Sequence, residues 1–355
     1  MGINAAFWNG KRVLVTGHTG FKGSWLCLWL HRMGARISGV SLPPPTNPSL
    51  FELARISEIV DHHIVDVRDF NALSSAVNAA EPQIVFHMAA QPLVREAYSQ
   101  PLETYMTNVM GTAHLLEATR TCENLKAVVV ITTDKCYENK ELGRPFTEGD
   151  PLGGHDPYSA SKACAEIVTS SYRDSFFVGE GAAAVASVRA GNVIGGGDFA
   201  KDRIVPDIIR AWESGEAVIV RNPFAIRPWQ DVLEPLGGYL ILAERLYKQG
   251  HDFAGAYNFG PPPENCREVG YITDELCRML GGSWSHDGTP QPHEAQTLLL
   301  SSEKAHKKLG WRNCLSLEET LKLIADFAVN TGNGEDARAF CESHIFGYEK
   351  RFPIK

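Results

Sequence analysis

Short apolar runs without polar alternation recur along the first half of the chain, and helical stretches separate them. Arg12-Val-Leu-Val-Thr16, Arg36 to Leu42, Ile64 to Val67, Ile84 to Met88, Val128 to Thr132 and Ala184 to Val188 read as strands. Lys22 to Met33 and the stretches near 69–80, 101–122 and 158–177 read as helices. Strands apolar on both faces, alternating with helices, specify a parallel sheet covered on both sides. The predicted class is therefore α/β, a doubly wound parallel sheet.

Beyond about residue 190 the regularity weakens, and Gly195-Gly-Gly197, Pro206, Pro223, Pro228 and Pro261-Pro-Pro263 punctuate shorter elements. A smaller mixed α/β lobe is expected from 191–355. The helix-like stretch 232–248 and the strand Ala256 to Phe259 are expected to return to the main sheet. The large domain is thus read as 1–190 with returning segments near 232–260.

Composition narrows the partners. Of 355 residues, 44% are hydrophobic and 21% charged, which excludes a disordered or coiled-coil chain. A formal charge of −8 disfavours nucleic acid and anionic lipid, while leaving room for a local basic pocket. The longest apolar stretch, Trp25 to Leu30, is far short of a membrane span, and no leader pattern is visible, so the default location is the cytoplasm. The eight cysteines form no Cys-x-x-Cys pair and the twelve histidines no metal-spaced pair, so no metal is expected. His62 and His63 are adjacent in a strand, which points them to opposite faces.

Candidate chemistry begins between the first strand and the first helix, at Gly17-His-Thr19-Gly20-Phe21-Lys-Gly23. Glycines there let the backbone turn tightly and approach a pyrophosphate seated on the helix N-terminus. The spacing, in this position, identifies a Rossmann-type dinucleotide site. The acidic residue that would hold a ribose 2′-hydroxyl is missing from the end of the second strand, where Ser41 and Leu42 stand, and neither Lys22 nor Arg36 is placed for a 2′-phosphate. This strand end is compatible with both NAD and NADP. Asp66-Val67, ending the third strand, could meet adenine, and Ala89-Ala90-Gln91, ending the fourth, leaves small side chains beside a cofactor.

Tyr158-Ser-Ala-Ser-Lys162 sets a phenol and an ammonium on one helix face. A nearby cation is expected to lower the phenol's pKa, so that Tyr158 can remove a hydroxyl proton as hydride departs. The fifth strand ends in Thr132-Thr133-Asp134-Lys135, at the sheet edge where such folds bind ligands. The alternative is that Asp134 and Lys135 form only a surface ion pair.

Gly17-x-x-Gly20-x-x-Gly23, Thr133, Tyr158-x-x-x-Lys162 and Arg189-Ala-Gly-Asn192-Val-x-Gly195, in this order, resemble the extended short-chain dehydrogenases/reductases. The resemblance covers most of the chain. It implies a bound NAD regenerated each turn, Thr133 bonded to the O4 of a nucleotide sugar, Tyr158 as base and Lys162 on the nicotinamide ribose. Thr-Asp-Lys at 133–135, Gly17-His-Thr-Gly-Phe-Lys-Gly23 and Arg227-Pro-Trp-Gln-Asp-Val-Leu-Glu234 are similar to the branch of the sugar 4,6-dehydratases that acts on CDP-glucose. That branch would oxidise C4, eliminate water across C5–C6 with Asp134 as acid, and return hydride to C6. Lys135 would be the C5 base if neutral, or otherwise a charge stabilising the enolate. Asn192 is implied to contact substrate, Arg227 to clamp its diphosphate, with Arg203 and Arg221 as further cations. A homodimer through helices 101–122 and 158–177, extending to a dimer of dimers, is also implied, and so is a role in bacterial deoxysugar and surface-polysaccharide synthesis.

Two rivals remain at this stage. A 4-epimerase, or a dehydratase of another nucleotide sugar, would share the frame; Asp134 argues against the first and Lys135 against the second. A non-catalytic NAD(P)-sensing protein would share the fold and commonly lack the tyrosine or lysine present here.

Overall fold

Val13 and Val15 are buried in one hydrophobic core and Leu14 in a second, which is how a strand without polar alternation behaves when helices cover both faces of its sheet. The computed structural model describes residues 2–140, 143–286, 288 and 298–351. The strands in chain order are β1 (Arg12–Thr16), β2 (Arg36–Ser41), β3 (Asp61–Ile64), β4 (Ile84–His87), β5 (Ala127–Ile131) and β6 (Ala184–Ala190). They continue with β7 (Asn192–Ile194), β8 (Ala217–Ile219), β9 (Ile226–Asp231), β10 (Gly255–Phe259), β11 (Cys266–Glu268) and β12 (Ser283–Ser285).

Seven strands form one parallel sheet in the order β10-β6-β5-β4-β1-β2-β3. The direction of winding reverses between β1 and β4, so their carboxyl ends open a crevice of the kind in which doubly wound sheets bind ligands. The glycine turn, the Ala89 segment and the residues after β5 all lie at that end. The strand β10 pairs with β6, and the helix Leu233–Gln249 packs on β5 and β6.

Three elements differ from the sequence reading. Strand β3 covers Asp61–Ile64 instead of Ile64–Val67, in register with Ser38–Ser41. It is an edge strand with Ile64 exposed, so its pattern need not be apolar, whereas the apolar residues after it turn inward. The helix expected over 101–122 runs unbroken from Pro101 to Thr119, three residues shorter and with one widened helical turn at Met106–Met110. The last helix, Ala337–Arg351, expected with the lobe, packs on the helix Phe21–Arg32: Trp29 Nε1 donates to Glu349 Oε1 at 3.0 Å and the Trp29 ring meets Tyr348 edge-on.

The smaller lobe holds a three-stranded sheet, β11-β9-β7, and a pair, β12-β8. Its core gathers Trp229, Ile208, Ile272 and Leu321, and the indole of Trp229 donates to the Arg267 carbonyl at 2.9 Å.

Candidate active site

Two glycines of the turn serve the turn itself. Gly17 has φ +75°, and a Cβ there would lie 2.7 Å from the Ala89 amide nitrogen; at Gly23 it would lie 2.2 Å from the Gly17 oxygen. Gly20 is different: a Cβ there meets only the Gly17 oxygen at 3.4 Å. The open face of Gly20 lies where helix Phe21–Arg32 starts without a side-chain cap, and this arrangement fits a diphosphate. Thr19 ties the turn to β2, its hydroxyl bonding Ser41 Oγ at 2.8 Å and the Leu42 carbonyl at 3.0 Å. Phe21 packs beside Gly195 of the lobe.

The other expected cofactor residues are more committed to the protein than the sequence suggested. Both oxygens of Asp66 are taken by Arg68, whose guanidinium holds the carboxyl below its usual range. Val67, three residues past the end of β3, turns its side chain into the core against Gly111, and its carbonyl meets His114 Nδ1 at 3.0 Å. Ala89 and Ala90 stay half-buried beside the turn. Gln91 is drawn away, its amide donating to Leu93 O at 3.1 Å and Thr104 Oγ1 at 2.9 Å.

Thr133 caps the short turn Asp134–Cys136, and its hydroxyl donates to Asp134 Oδ1 at 3.0 Å. The Tyr158 phenol lies beside Thr133 and feels the charges of Asp134 and Arg203. Asp134 is fully buried, with Oδ2 unpartnered, and Lys135 Nζ stands 3.9 Å from Oδ1. A surface ion pair is therefore ruled out for Asp134. Gly191 makes room for the carboxylate: a Cβ there would come within 3.2 Å of Oδ2.

The expected effect of Lys162 on Tyr158 is corrected by the structure. Burial, with Asp134 and Asp156 adding, pushes the phenol up to about 12, while the neighbouring Thr133 hydroxyl and Arg203 pull it down. Lys162 Nζ is instead turned to the carbonyl of Ile131 at 3.2 Å, and burial brings it down to about 8. Sharing one helix face did not make the ammonium the phenol's partner.

Of the substrate candidates, Asn192 presents a buried Oδ1 without a partner. Arg203 donates to Asp198 at 2.9 Å and acts on the Tyr158 phenol, so it belongs to the cluster. Arg221 is tied to Asp202, donating to both its carboxylate and its carbonyl. Arg227 is 4% exposed in the middle strand of the lobe and donates to the Ile226 carbonyl, a more enclosed position than a rim clamp occupies. Among the described residues there is no group of His, Cys, Asp and Glu that could hold a metal.

Residues 13–260 match the model of the NAD dependent epimerase/dehydratase family. The chain belongs to that family. It is 52% identical to the CDP-glucose 4,6-dehydratase of Salmonella typhimurium, over 98% of each chain. Among solved structures, an epimerase from Methanothermobacter thermautotrophicus superposes with a TM-score of 0.79 at 20% identity, over 94% of this chain and 96% of that one. The dTDP-glucose 4,6-dehydratase of Bacillus anthracis in complex with NAD gives 0.75 at 20%, over 90% and 97%.

The structure also gives a place at the site to Lys22, rejected above as a 2′-phosphate partner, and to residues that pattern reading passed over. Lys22 sits in the field of Lys162, Arg203 and Asp134. Asn108 is buried, accepts from the Gln91 backbone N–H at 2.8 Å and donates to Ser161 at 2.8 Å, joining the loop after β4 to the tyrosine helix. An asparagine inside an apolar helical stripe was the available signal. His18 is buried beneath Gly39 and bonded to His62 at 2.6 Å, filling the space between β2 and the turn.

Proposed function

We propose that this protein converts CDP-glucose to CDP-4-keto-6-deoxyglucose, using a bound NAD that is regenerated in each cycle. The observation that carries the reading is Asp134: a buried carboxylate with one oxygen bonded to Thr133 and the other free, beside the tyrosine of the oxidation step. A 4-epimerase has no use for an acid there. The likeness to the Salmonella enzyme along nearly the whole chain supports the cytidine nucleotide. Residues 1–190 with 232–260 form the proposed dinucleotide domain, and most of 191–355 the sugar-nucleotide lobe.

When bound, the dinucleotide supplies a hydride acceptor for C4 and returns the hydride to C6. Tyr158 takes the O4 proton, with Thr133 fixing the hydroxyl between them. Once C4 is a ketone, the C5 proton is acidic and is removed; the C6 hydroxyl leaves as water with a proton passed through Asp134 Oδ2, balanced by the O4 proton the enzyme has gained, and C5 is reprotonated after hydride arrives at C6. Lys135 serves the C5 step, as the base or as the charge that steadies the enolate. Lys162 orients the nicotinamide ribose from its anchor on Ile131. Asn192 and Arg203 are proposed to hold the sugar and its diphosphate, with Arg227 and Arg221 behind them.

A homodimer is proposed through the helices that begin at Pro101 and Pro157. Leu102 is 80% exposed and Ile167 56%, with Met106 and Met110 beside them, leaving an apolar seam.

CDP-glucose deuterated at C4 tests the chemistry: the deuterium is expected at C6 of the product, with one solvent hydrogen at C5. Its loss to solvent, or its retention at C4, would refute the mechanism. With Lys135→Met, intact C4 oxidation without C5 exchange assigns the base role to Lys135, and residual elimination assigns the electrostatic one.

A further inference from the structure

Lys22 is a member of the glycine turn that the reaction above leaves unused. It lies in the first turn of the helix Phe21–Arg32, where the helix dipole opposes an ammonium. The charges facing it are Lys162 from the tyrosine helix and Arg203 from the segment before helix Ile204–Ser214, both repulsive, and Asp134 from the turn after β5, attractive. The ring of Tyr239, from helix Leu233–Gln249, lies 5.9 Å from its Nζ. No hydrogen bond or ion pair reaches that Nζ among the described residues. Arg203 is already answered by Asp198, and Asp134 by Lys135. The Tyr239 hydroxyl and Asp134 Oδ2 are buried and unpartnered as well.

A cation set against a dipole and two like charges, whose one nearby carboxylate already faces Lys135, is a poor choice for stability and a good one for an anion. We propose that Lys22 binds a phosphate of the dinucleotide, its ammonium carried by the Tyr239 ring toward the diphosphate received at the helix N-terminus. This rests on the dinucleotide reading of the turn and adds to it a side-chain contact beside the backbone ones. A lysine suits the task because it meets phosphate as a mobile point charge with three donors. Burial first, and then the repulsion of Lys162 and Arg203, bring the ammonium down to about 7. A phosphate would hold it protonated, so above pH 7 binding takes up a proton and affinity falls as pH rises.

The test titrates the full-length chain with NAD⁺, NADH and ADP-ribose, the last of which carries the diphosphate without the nicotinamide. Lys22→Met is expected to weaken all three alike, by about 10- to 100-fold, the scale of one charge-assisted hydrogen bond. Lys22→Arg should restore most of the affinity. Calorimetry in buffers of different ionisation enthalpy should show proton uptake at pH 8 in the unsubstituted protein and in neither variant. Unchanged ADP-ribose binding in Lys22→Met, with unchanged melting, overturns the proposal. So does tighter NAD⁺ binding with ADP-ribose unaffected, which would make Lys22 a repulsive neighbour of the nicotinamide. If the unsubstituted chain binds none of the three, the dinucleotide reading itself fails; binding by both forms alike defeats the Lys22 assignment alone.

Discussion

Replacing Asp134 by asparagine keeps the shape of the side chain and removes its charge and its ability to donate a carboxyl proton. The effect on stability follows from two opposed quantities. Attraction to Lys135 at 3.9 Å is worth about 4 kcal/mol at an effective dielectric of about 20. Desolvation of a fully buried carboxylate costs several kcal/mol, and Oδ2 has no partner to offset it. These nearly cancel, so Asp134→Asn should change stability by about 1 kcal/mol or less, and the melting temperature by about 3 °C or less. Catalysis should respond quite differently. Loss of a positioned acid typically lowers a rate by about 10²–10⁴. Oxidation at C4 does not use Asp134, so reduced nicotinamide should accumulate, visible by its absorbance when CDP-glucose is mixed with the NAD-loaded variant, while water loss stops. A variant that melts many degrees lower would show the carboxylate to be structural. A variant that still eliminates water at the original rate would refute the acid role.

Gly17→Ala should destabilise the fold by about 2 kcal/mol or more, since the backbone is left-handed and the Cβ strikes Ala89, whereas Gly20→Ala should melt unchanged and lose dinucleotide affinity; melting and titration of the two variants check this. Burial and His62 lower His18 from 6.5 to about 4, so folding favours its neutral form; that contribution is full above about pH 6.5 and is lost as pH falls toward 4, at about 3 kcal/mol. His18→Gln should therefore flatten the acid limb of the stability curve, in denaturant titrations between pH 4 and 7. Leu102→Glu with Ile167→Glu should shift the chain to monomers in sedimentation, with the melting of the monomer unit little changed because both side chains are exposed.

The main sheet was legible because its central strands are apolar on both faces, as Val128 and Val129 are, one in each core. Pattern reading slipped where burial is one-sided. The edge strand Asp61–Ile64 is polar and was displaced by three residues toward the apolar run Ile64-Val-Asp-Val67. The glycine turn, Thr133, Asp134 and Tyr158 were recognisable from residue type and spacing, and the structure brings the last three together. The partnerships were not recognisable. Four residues along a helix place Lys162 on the side of Tyr158, but the carbonyl of Ile131, distant in sequence, decides where the ammonium points. Lys22 could be weighed only against a 2′-phosphate for the same reason: its neighbours come from four separate segments.

The most direct test incubates the purified protein and NAD⁺ separately with CDP-glucose, dTDP-glucose and UDP-glucose, and follows each by mass. Loss of one water from CDP-glucose, with the other two unchanged, is the predicted result. Conversion without a change of mass, or no reaction with CDP-glucose, would contradict the dehydratase chemistry assigned to Asp134 and Lys135.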